Sequence, residues 1–215
     1  MLVFCVGLTA VLLVAILSRD HDIAASQETV VTAEIHLGEA AIAALPDRVH
    51  LSRRALGEFS YYDRSQAARE GLASEGFADA GAYRIDELPG VHVLLMTQAR
   101  ERMTAAVYDD ERLGVWVEVV SRFTDGRRWT HTTLAGGGLE TRERNALVSL
   151  PGASLAELLA RARADRPGGD LEPVERHAAA PGFERDYAAW IAERKRALGV
   201  ELETEDDERQ LARAA

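Results

Sequence analysis

Between Ala82 and Leu134 short runs of β-branched and apolar residues alternate with polar ones and are broken at regular intervals by turn chemistry. That pattern predicts antiparallel strands near residues 82–87, 91–98, 102–109, 115–124 and 127–134. Leu88-Pro89-Gly90 supplies one joint, and the polar stretch from Asp109 to Gly114 supplies another, with Asp109, Asp110 and Glu111 expected as a solvated hairpin tip. In Thr124-Asp125-Gly126-Arg127 the Asp-Gly pair fits a two-residue loop, whose positive φ angles these residues tolerate best. The expected product is a meander.

Helical periodicity flanks this region. Asp63 or Ser65 can cap a helix over residues 64–75 that Gly76 ends. Beyond Gly136-Gly137-Gly138, read as a flexible turn, Ser154 and Glu157 form a capping box. The helix it opens aligns Leu155, Leu158, Leu159 and Ala162, and Pro167-Gly168-Gly169 closes it. A further helix carries Phe183, Tyr187, Trp190, Ile191 and Leu198 on one stripe and stops at Gly199. Both C-terminal helices are expected on one face of the sheet. The fold class is therefore α+β, an antiparallel β-meander of four to five strands with flanking helices.

Met1 to Leu17 contains no charged residue and ends abruptly at Ser18, Arg19 and Asp20. A helix of that length rises about 25 Å, enough to span a bilayer when flanking residues reach the interface. With no basic start and no small-residue site directly behind the apolar run, a single-pass anchor is favoured over a cleaved signal. Arg19 favours the body on the cytoplasmic side over the opposite topology by the positive-inside bias. The expected organisation is a transmembrane anchor over 1–18, a membrane-proximal connector over 19–56, an α+β domain over 57–200 and a flexible acidic tail over 201–215.

Composition sharpens this in two places. The 215 residues carry 25 basic and 35 acidic side chains, a formal charge of −10 that disfavours nucleic-acid binding. Six of the carboxylates lie between Glu201 and Glu208, leaving about −4 for everything else. Cys5, inside the apolar segment, is the only cysteine, so no intramolecular disulfide and no thiol-rich metal site can form.

The candidate chemistry depends on the register of the Asp-Gly hairpin. A two-residue loop pairs Arg122 with Trp129, Val120 with His131 and Glu118 with Thr133. Trp116, Glu118, Arg122, Trp129 and His131 then share one sheet face, a candidate ligand or partner surface. Its two tryptophans would floor a pocket or mark a contact patch, and Arg122 would hold an anion. The alternatives are a solvated sheet face bearing ordinary cross-strand pairs, or a core in which Trp190 and Phe183 cover the tryptophans. His21, His36, His50, His92 and His177 fall in no metal-ligand spacing, and Ser154 in no nucleophile elbow. No catalytic residue, metal site or cofactor is assigned.

The order Leu88-Pro89-Gly90, TAAVYDDERLGVWVEVVSRFTDG and Leu150-Pro151-Gly152 resembles that of uncharacterised bacterial proteins with an N-terminal apolar segment and a small α+β body. The resemblance covers about residues 50–200 and implies no activity. The expected function is that of a membrane-anchored accessory or protein-interaction module. A small-ligand-binding domain at the membrane is the alternative, and an enzyme using Glu118 and His131 as an acid–base pair a third.

Overall fold

The computed structural model describes residues 42–135 and 145–199. The expected membrane helix, most of the connector, the glycine run and the acidic tail lie outside the described residues. No helix among the described residues is long and apolar enough to cross a membrane.

Among the described residues seven strands form one sheet in sequence order: β1 (Leu51–Arg53), β2 (Ala78–Ile85), β3 (Val91–Gln98), β4 (Met103–Asp110), β5 (Gly114–Arg122), β6 (Arg128–Thr132) and β7 (Asn145–Ser149). Every neighbouring pair is antiparallel except β6 and β7. The predicted meander is thus present as β2 to β6, and the pattern missed both edge strands. β1 is only three residues long and lies within the stretch assigned to the connector, where Val49 is also buried. A three-residue strand is too short to show a period of two.

Helix α1 (Tyr62–Ser74) follows β1, while α2 (Leu155–Ala164) and α3 (Ala179–Ala197) follow β7. The Ser154–Glu157 capping box opens α2 as expected. α1 begins earlier than predicted, because neither Asp63 nor Ser65 caps it. Its start is held instead from outside: buried Asp109 of β4 accepts from Ser60 N at 3.0 Å, Tyr61 N at 2.9 Å and Ser65 Oγ at 2.9 Å. A carboxylate there satisfies orphan donors and suits the positive end of the helix dipole.

The C-terminal helices do not share a face. Phe183, Tyr187, Trp190 and Ile191 of α3 pack on Tyr83, Val93, Leu95, Tyr108, Trp116 and Val120, whereas Leu158, Leu159 and Ala162 of α2 and Leu72 of α1 pack on Leu94, Met96, Ala105, Val107 and Val119. The two sets occupy alternate positions along the same strands, hence opposite faces of the sheet. Leu171 bridges to Phe123, Thr124 N donates to Asp170 O and Glu172 N to Arg122 O, so the chain between α2 and α3 passes the β5–β6 hairpin end. Both faces are therefore covered, which explains why β3, β4 and β5 are buried at nearly every position rather than alternately.

Candidate functional site

The hairpin carrying the candidate residues is built on a different turn from the one its sequence suggests. Gly126 N donates to Phe123 O at 2.9 Å and Phe123 N to Arg127 O at 2.9 Å. Gly126 has φ of +83°, while Asp125 stays at negative φ, since Arg102 is the only non-glycine residue with positive φ among those described. This is a four-residue turn closed by a glycine bulge, not a loop with both central residues left-handed. Asp125 favours it, because its carboxylate accepts from Arg127 N at 3.0 Å and Arg127 Nε at 2.7 Å. Those same two bonds hold its carboxyl below the usual range.

The extra loop residue slips the register by one. Arg122 pairs with Arg128, Ser121 with Trp129, Val119 with His131 and Glu118 with Thr132. A one-residue slip turns every side chain of the strand to the other face. Trp116, Glu118 and Arg122 consequently lie under α3, and Trp129 and His131 lie on the side of α1 and α2. The five expected neighbours do not form one surface, and Glu118 and His131 cannot act together as an acid–base pair.

Under α3 the polar groups are locked into the core. Trp116 is 3% exposed and stacks on Tyr108 with ring centroids 4.8 Å apart, in the cluster that holds Phe183 and Trp190. Glu118 is fully buried; the Tyr108 hydroxyl donates to its Oε2 at 3.4 Å, and Oε1 has no hydrogen-bond partner among the described residues. Burial pushes its carboxyl well above the ordinary range, against the opposing bonds from Tyr108 and Thr132, which favours the neutral acid. Further along the same face, Asp186 of α3 bridges two strands: Arg122 Nη2 reaches its Oδ2 at 2.6 Å and Arg128 Nη2 its Oδ1 at 2.7 Å. Arg122 is thus committed to holding α3 on the sheet.

On the opposite face His131 is 1% exposed, and its Nε2 lies 3.2 Å from Oδ2 of Asp165, the C-cap of α2. Burial lowers the imidazole pKa while Asp165 raises it, with burial the larger effect. A neutral ring donating from Nε2 to the carboxylate follows, a tautomer set by the acceptor. Arg161 Nη2 shares that carboxylate at 3.0 Å. Trp129 is half-buried on the same face.

Comparison with protein-family models, with curated proteins and with solved structures gives no match.

The acidic triplet also departs from expectation. Asp109 and Asp110 are buried rather than solvated, the first at the start of α1 and the second accepting Arg112 N at 2.7 Å and Leu113 N at 3.0 Å across its own turn. Only Glu111 is exposed.

The pattern missed a different cluster altogether. At Asp79–Gly81 the β2–β3 register shifts, and Gly81 takes φ of +135° with the Tyr83 ring where a Cβ would sit. Beside this bulge lies a cleft of about 590 Å³ lined by Arg53, Arg54, Arg69, Arg176 and His177 around Asp79. The Arg53-Arg54 pair is visible in the sequence, but nothing local links it to Arg69 and Arg176.

Proposed function

We propose that this protein is a single-pass membrane-anchored interaction module, acting by binding rather than turnover. The observation that carries the reading is the uncharged run over residues 1–17, separated by a short connector from a folded body. The end of that connector is well held, which supports a mechanical link. Tyr187 of α3 donates to Pro46 O at 2.9 Å, Lys195 pairs with Asp47, and Leu45 packs against the α3 cluster. A body tethered in this way meets partners at the bilayer at raised effective concentration, reason enough for an anchor without chemistry.

Carbonate extraction of membranes bearing the full chain with a C-terminal tag tests the reading. The chain is expected to stay in the pellet, and a variant lacking residues 1–18 to move to the soluble fraction. Release of the full chain by carbonate would refute the anchor. Protease treatment of spheroplasts is expected to spare the tag until lysis, in line with a cytoplasmic body; digestion before lysis would reverse the orientation.

A further inference from the structure

We propose that the cleft beside the β2 bulge binds a dianionic phosphate monoester. Four guanidinium groups, from β1 and its end, α1 and the start of the segment before α3, meet there against one carboxylate, Asp79, in a protein whose formal charge is −10. Like charges assembled against the overall balance cost repulsion that a bound anion relieves.

The bulge organises them. Arg69 Nε donates to Asp79 Oδ2 at 2.9 Å, Arg176 Nε to the Asp79 carbonyl at 2.8 Å, and Arg53 Nη2 to the Ala80 carbonyl at 3.4 Å. Each of these arginines is thereby fixed at one edge and keeps other N–H donors for a ligand. Carbonyl contacts orient Arg53 and Arg176 without neutralising them, and neither has an ion-pair partner among the described residues. Arg54 is held more loosely, 3.8 Å from exposed Glu58.

Planar guanidinium forks match the paired oxygens of a phosphate, and several forks lining one cleft favour the doubly charged monoester over a monoanion. Leu56, Ala82 and Leu94 add an apolar wall, and the volume suits a small organic body attached to the phosphate. The same chemistry is offered by a soluble phosphate ester and by a lipid with a monoester headgroup. The inference rests on the cleft alone and stands whether or not the anchor reading holds.

The test is calorimetric titration of the full chain in neutral detergent at fixed ionic strength. One arm uses glycerol 3-phosphate, a second dihexanoyl phosphatidic acid, and dihexanoyl phosphatidylcholine is the control. Saturable binding in either monoester arm and none in the control is expected, with the responding arm identifying the source. Arg53→Gln and Arg176→Gln should each weaken binding by about tenfold or more, the loss of a charge-assisted contact. Arg100→Gln, in a separate arginine-lined depression, should leave it unchanged. If Arg176→Gln shifts the unfolding midpoint, Arg54→Gln replaces it, because its exposed pair with Glu58 carries little stability. Absence of saturation in both monoester arms up to about 10 mM would overturn the proposal, since that is weaker than about 3 kcal/mol of binding. Equal losses in the Arg100 variant and the cleft variants would overturn it as well, by showing diffuse charge attraction.

Discussion

Between α3 and the sheet the charged groups Glu118, Arg128, Asp186 and Lys195 are buried beside a cluster rich in aromatic rings, whereas under α1 and α2 the sheet buries mainly aliphatic and methionine side chains with Phe59 and Phe77, and has polar contacts at helix ends, Asp109 at the start of α1 and His131 at the end of α2. Both faces bury fully enclosed side chains, each contributing about 1.5–3 kcal/mol by removal from water. They differ in what sets helix position. α1 and α2 are held by hydrogen bonds at their termini, where free backbone groups make a polar partner useful, and α1 also by Arg69 to Asp79. α3 is located along its length, by Tyr187 to Pro46, Asp186 to two arginines and Lys195 to Asp47. Charges in a core pay back little beyond their desolvation, so their main contribution under α3 is to its placement across β5 and β6.

Removing Asp186 should break the contrast most severely. Asp186→Ala leaves Arg128, 4% exposed, without its counter-charge, and is expected to cost about 3–5 kcal/mol in urea unfolding. A loss below about 1 kcal/mol would show that the triad is dispensable. On the other face, Asp109→Ala strands two backbone donors and a hydroxyl, and about 2–3 kcal/mol should be lost, with faster amide exchange confined first to the start of α1.

The faces should also respond oppositely to pH. Glu118 has its carboxyl raised by burial, so the folded protein holds that proton more tightly than the unfolded chain; its contribution is complete below the ordinary value of 4.5 and is lost as pH rises through the folded value. Glu118→Gln should flatten this alkaline decline and stabilise the protein at pH 7 by about 1–2 kcal/mol. His131 runs the other way: its pKa is lowered by burial, so its contribution is present above the ordinary value of 6.5 and is lost as pH falls through the folded value. His131→Asn should remove that acid decline. Stability measured across the pH range in both variants separates the two limbs, and a slope unchanged by either substitution would remove that residue as its source.

The smallest effect concerns the turn that divides the faces. Gly126→Ala meets open space but must hold φ near +83°, and a cost of about 1 kcal/mol is expected, with the register of β5 and β6 kept. Cross-strand amide contacts by NMR would reveal a return to a two-residue loop as Arg122 facing Trp129.

Local chemistry makes much of this protein legible in its sequence. The alternation and turn residues place β3 over 91–98 and β4 within one residue of its observed ends, and the Ser154–Glu157 box and the stripe from Phe183 to Trp190 locate α2 and α3. These signals involve neighbours within a few residues, where backbone geometry alone sets the period. The candidate surface was not legible, because it hinged on one turn: Asp-Gly is compatible with two loop lengths, and the choice between them reverses all of β6. The assignment of α2 and α3 to opposite faces is likewise absent from any local pattern. The capping of α1 by Asp109 from across the chain, and the gathering of Arg53, Arg69 and Arg176 at one bulge, join residues 10 to 97 positions apart in sequence. Such pairings carry no periodic trace, and only the packing of both sheet faces decided them.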